Sequence, residues 1–133
     1  MDILNEVYKI LISNPFIQSE VEDRFKFCEY PESGEKSGPI IVIDEVNPDS
    51  PSDYADDVWL TSDYFIHIEV WTQGEDGRTK RDAIAREIRS IMWDELRFKH
   101  VSSMNPEYDS RTKTWRDARR YRGKLYRKDL DAF

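Results

Sequence analysis

Ile3, Leu4, Val7, Ile10 and Leu11 recur at the three-and-four spacing of one helix face. Asn14-Pro15 should end that helix, because a residue before proline avoids the α region, with Phe16 and Ile17 anchoring the exit. Residues 24–30, Arg-Phe-Lys-Phe-Cys-Glu-Tyr, alternate and predict a short strand. Pro31 to Pro39 is polar and holds two glycines, so it predicts a loop. The β-branched run Ile40-Ile-Val-Ile43 predicts a buried central strand. Asn47 to Asp57, rich in Asp, Ser and Pro, predicts a long loop over about 47–58. Trp59 to Thr72 then alternates cleanly, with Tyr64, Ile66, Ile68 and Val70 on one face and Phe65, His67, Glu69 and Trp71 on the other. Gly74 to Gly77 reads as a turn, and Thr79 with Asp82 resembles a capping box. Behind it Ile84, Ile88, Ile91, Met92 and Leu96 form a helical stripe. Residues 98–104 and 114–128 alternate again around Asn105-Pro106-Glu107, which predicts a closing hairpin with a long tip over 105–113.

Strands grouped before and after a helix predict an α+β fold: an antiparallel or mixed sheet of about four or five strands with two helices packed on one face. The 133 residues fit one domain, 1–133, with no internal repeat. A chain of this size buries roughly two-thirds of its unfolded surface, enough for a core without a metal or a disulfide.

Composition adds a second theme. Charged residues make up 35% of the chain and aromatics 13%, and the aromatic share argues against disorder. The single cysteine, Cys28, has no internal disulfide partner, which suits a reducing compartment or a particle assembled inside a cell. The first residues lack the basic start and apolar run of a signal peptide, and no stretch approaches a membrane span, so a soluble protein is expected. The net charge of −7 conceals a division: residues 1–77 hold 4 Lys/Arg against 18 Asp/Glu, and residues 78–128 hold 16 against 7. The two parts would meet different partners, meet between copies, or pair within one fold; sequence leaves these open.

The usual catalytic signatures are missing. Asp44, Glu45, Asp49, Asp53, Asp56, Asp57 and Asp63 are close in sequence but lack the alternation and glycine of a calcium loop, so a solvated acidic segment is expected. His67 and His100 belong to no paired metal motif and are expected to be structural. Cys28 is expected to be a buried apolar filler. The five glycines form neither a phosphate-cradling loop nor a nucleophile elbow. The strongest feature is the basic stretch Arg116 to Lys128, interleaved with aromatics. On a strand, Arg116, Arg120, Arg122, Lys124 and Tyr126 share one face, and Trp115, Arg119, Tyr121, Leu125 and Arg127 the other. Both faces are mixed, so an interface through Arg116, Arg119, Arg120, Arg122, Tyr121 and Tyr126 is preferred to nucleic-acid stacking in so acidic a chain.

Several strings also resemble a family: Tyr30-Pro-Glu-Ser-Gly, Gly38-Pro-Ile-Ile-Val-Ile-Asp44, Ser52-Asp-Tyr-Ala-Asp56, Tyr64 to Trp71, Tyr108-Asp, and Arg116-Asp-Ala-Arg-Arg-Tyr-Arg-Gly-Lys-Leu-Tyr126. They are similar to the small tail completion proteins (tail terminators, or tail-to-head joining proteins) of long-tailed phages and prophages of Gram-positive bacteria. The resemblance covers nearly the whole chain but includes no catalytic signature. It implies a structural virion protein of the tail and neck, assembled in the host cytoplasm. Its copies would form a ring, usually a hexamer, that caps the tail tube, ends tail elongation and meets the head connector. It implies no enzyme activity and no cofactor, and carries over no single-residue site; no metal and no membrane partner are expected from the residues themselves. DNA would pass through such a ring without specific binding, and carboxylates suit that lining because arginines would hold phosphates. Asp49, Asp53, Asp56 and Asp57 are therefore expected at the lumen or a docking surface. The alternatives are a head-completion protein of the neck, or a nucleic-acid-binding accessory protein using residues 116–128.

Overall fold

The computed structural model describes residues 2–31 and 38–127. Residues 32–37 of the expected 31–39 loop, and Lys128 at the end of the basic stretch, lie outside them. The fold is α+β, with three helices and one mixed six-stranded sheet among the described residues.

The first helix, α1 (Ile3–Ile12), starts where Asp2 Oδ1 accepts from the Asn5 N–H at 3.2 Å. It ends before Asn14-Pro15 as expected, but the chain does not simply exit. Pro15 opens a second helix, α2 (Pro15–Val21), because proline's fixed φ suits a first turn. Asn14 Oδ1 caps it, accepting from Phe16 N and Ile17 N at 2.9 and 3.0 Å. Strand β1 (Phe25–Phe27) is only three residues long, and Cys28 after it takes φ +59°, which breaks the extended run. Cys28 is exposed, a correction to the expected buried filler.

Strand β2 (Ile40–Ala55) pairs in parallel with β1 through Ile41–Ile43 and antiparallel with β3 (Val58–Gln73). Ile40 to Ile43 are buried on both faces, as their unbroken apolar run predicts. The expected 47–58 loop is instead the outer part of this long hairpin. The register shifts twice, between Glu45 and Asn47 and between Asn47 and Ser50, and then continues to Ala55↔Val58. Among the described residues nothing pairs on the outer side of β2 beyond Ile43, so Pro48 and Pro51 sit on a sheet edge, where proline is tolerated. The two-residue turn Asp56-Asp57 has φ of +50° and +64°, the positive values a type I′ hairpin needs.

The third helix, α3 (Gly77–Leu96), begins at Gly77, so Thr79 is not its N-cap; the Thr79 hydroxyl donates to the Asp76 carbonyl at 3.1 Å. The expected stripe is buried through Ile84, Ile88, Ile91 and Met92. The closing hairpin is present but divided. Strands β4 (Lys99–Ser103) and β5 (Glu107–Asp109) both pair with β6 (Thr114–Tyr126), so part of the expected 105–113 tip is strand. The strand order is β1-β2-β3-β6-β4, with β5 pairing β6.

The core lies between the helices and one face of the sheet: Val7, Leu11, Ile17 and Ile88 against Ile41, Ile43, Ile66, Ile68 and Val70. Gly123 lets the Phe98 ring lie against the β6 backbone, in the space a Cβ would occupy.

Candidate functional site

The alternation of β3 and β6 sends one set of side chains away from the helices. Their register sets Phe65 opposite Arg122, His67 opposite Arg120, Glu69 opposite Ala118 and Trp71 opposite Arg116. This helix-free face is therefore charged and aromatic.

Its centre is Glu69, 0% exposed. The carboxylate accepts from Arg116 Nε at 3.0 Å, Arg116 Nη2 at 2.7 Å and Trp71 Nε1 at 2.8 Å, and lies 2.6 Å from His67 Nε2. Burial pushes the Glu69 carboxyl up, but the bonds from His67, Arg116 and Trp71 and the Arg116 charge outweigh it, holding the group at about 2. Arg116 is correspondingly held charged by Glu69, and reaches Glu107 Oε2 at 3.2 Å. Its guanidinium lies 5.3 Å from the Trp71 ring centre and 5.5 Å from that of Tyr30. A carboxylate so satisfied is a poor base, and its arginine is committed to two carboxylates. The arrangement is a structural clamp that pins β3 to β6.

Among the other basic-stretch residues, Arg122 lies 4.3 Å and Arg120 5.8 Å from the Phe65 ring centre, on the helix-free face. Arg119 points to the helix side, where its Nε donates to Asp117 Oδ1 at 3.0 Å. Tyr121 is 1% exposed within the core, which corrects its expected place at an interface: its strand parity turns it under the helices beside Ile66. Tyr126 is exposed at the outer end of β6. The stretch is thus not one surface. The β3–β6 register divides it between a clamp, a core and an exposed strip.

The acidic residues are divided too. Asp49 accepts from the Ser62 hydroxyl at 2.7 Å. Asp53 accepts from Thr61 Oγ1 at 2.7 Å and Lys124 Nζ at 3.0 Å, and these bonds, that of Thr61 foremost, hold its carboxyl below the usual range. Asp56 and Asp57 form the exposed hairpin turn. Around them Tyr54, Val58 and Leu60 stand exposed. Among the described residues no three His, Cys, Asp or Glu groups converge to hold a metal ion. His67 is tied to Glu69, and His100 lies 2.7 Å from Ser103 Oγ. Partial burial, then the Asp44 bond and the charges of Asp44, Glu45 and Asp2, push the Cys28 thiol up, away from a reactive thiolate. No helix among the described residues is long and apolar enough to cross a membrane.

Sequence reasoning missed Glu69, although Glu69 with His67 and Trp71 at i±2 was a usable signal for one strand face. It also missed the basic flank of α3, where Arg78, Arg86 and Arg89 are exposed at helical spacing. No protein-family model matches the chain, and no curated protein matches it.

Proposed function

We propose that this chain is a structural assembly subunit, of the kind that caps a phage tail tube, ends its elongation and joins tail to head. The observation that carries the reading is the separation of charge between two sides of one sheet. The outer edge of β2 is acidic through Asp44, Glu45 and Asp49, while α3 and β4, toward the far edge, expose Arg86, Arg89 and Lys99. Opposite patches on opposite sides suit the heterologous contact by which copies close a ring. The resemblance noted above supplies the tail role, and a head-completion role in the same neck would use the same surfaces. Of the groups with strongly perturbed acidity, Glu69 and Arg116 are paired with each other and Tyr121 is pushed up by burial in the core, which supports assembly over catalysis. Nucleic-acid binding through residues 116–127 is disfavoured, since Arg116 and Arg119 are committed to carboxylates and Tyr121 to the core. Asp56 and Asp57, at the tip of the hairpin, are the aspartates best placed to meet passing DNA without gripping it.

Electron microscopy of virions lacking this protein tests the proposal. Over-long tails and free heads are expected; tails of normal length joined to heads would overturn it.

A further inference from the structure

The inner stripe of β3 does not stop where its own helices stop. Tyr64, Ile66, Ile68 and Val70 are buried in the core, and the same face continues outward through Ser62 to Leu60 and Val58, which are 44% and 45% exposed. Glu45 and Asp49 of β2 belong to this face, since Glu45 pairs with Ile66 and Asp49 bonds the Ser62 hydroxyl. Neither has a cationic partner among the described residues, and no Lys or Arg occurs anywhere in residues 38–77. Partial burial and then the charges of Asp49, Asp2 and Asp44 push the Glu45 carboxyl up. The inner face of this hairpin arm therefore joins bare aliphatic surface to negative charge that its own fold leaves uncompensated.

Helix α3 presents the complement. Arg78, Arg86, Arg89 and Trp93 fall along one flank at helical spacing, turned away from the buried stripe, and Arg97 follows just past the helix end. Trp93 is 44% exposed, and the Arg97 guanidinium lies 5.3 Å from its ring centre. Among the described residues none of these arginines forms an ion pair. Arginine and tryptophan are the residues most often found at the centres of protein interfaces.

We infer that the inner face of the arm of one copy docks on the α3 flank of a second copy. Val58 and Leu60 cover Trp93, and Glu45 and Asp49 meet Arg86 and Arg89. This rests on the reading of the chain as an assembly subunit, and names the surfaces it would use. Because unlike patches meet, the contact repeats from copy to copy and leads to a closed ring or an open filament.

Sedimentation of the full chain across protein and salt concentration tests it, using two double variants at exposed positions: Glu45→Lys with Asp49→Lys, and Arg86→Glu with Arg89→Glu. The unaltered chain should self-associate, and less so at high salt. Each variant alone should associate roughly tenfold or more weakly, because like charges then face each other. An equimolar mixture of the two should recover association, since the reversed arm meets the reversed flank. A chain that stays monomeric throughout, variants that associate like the original, or a mixture without recovery would each overturn the contact. The virion experiment separates this from the proposed role. Over-long tails with no such contact would remove only the surface assignment, and association with normal tails would remove only the tail role.

Discussion

Ile66 and Glu69 lie three residues apart on β3 and are equally closed to water, yet unlike forces hold them there. Ile66 faces the helices and is stabilised by transfer of apolar surface from water, which depends little on the identity of any one neighbour. Glu69 faces away from the helices, and its burial is tolerable only because Arg116, Trp71 and His67 supply hydrogen bonds and an opposing charge. The first arrangement degrades gradually when a side chain is trimmed. The second fails when a single partner leaves.

The sharpest way to break the comparison is Arg116→Ala, which strands a buried carboxylate. It should cost about 3–5 kcal/mol in denaturant unfolding, and adding Glu69→Gln should recover part of that loss. On the other face, Ile66→Ala should cost about 2–5 kcal/mol through lost transfer energy and a cavity, with no such rescue from a second polar change.

Acid separates the faces without mutation. The folded chain holds Glu69 at about 2, below its ordinary 4.5, so its contribution is complete above 4.5 and is lost as pH falls from there toward 2. The loss should reach about 3 kcal/mol, read from denaturation midpoints against pH. Glu69→Gln should flatten that part of the profile, while Ile66→Ala should shift the whole curve without changing its slope.

The smallest effect is expected at the arm, which belongs fully to neither regime. Asp57→Gly removes the strain of positive φ at the second turn position and should stabilise the hairpin by up to about 1 kcal/mol, seen as a raised melting temperature.

The elements legible in the chain were those whose side chains report their surroundings directly. Tyr64 to Trp71 alternated because one face is buried under helices, and Ile84, Ile88, Ile91 and Met92 repeated because one helix flank is. The parity of residues 115–127 followed from strand geometry alone, and because both faces are mixed it did not show which one turns inward. Pro15 misled because proline stops one helix and starts another with equal local logic, and only the Asn14 cap distinguishes the two. Residues 47–57 misled because Asp, Ser and Pro have weak strand preference of their own, and the ladder with β3 overrides it.

The sequence by itself determined the class of fold, the faces of the main strand and helix, and the division of charge along the chain, because periodicity and composition are properties of neighbours in sequence. The tertiary structure alone decided that Arg116 would meet Glu69, 47 residues away. It also decided that Tyr121 would turn inward while Arg120 and Arg122 stack on Phe65, and that an apparent loop would become an arm with an uncovered face. Those outcomes depend on register between distant strands, where a slip of one residue would exchange every inward side chain for an outward one.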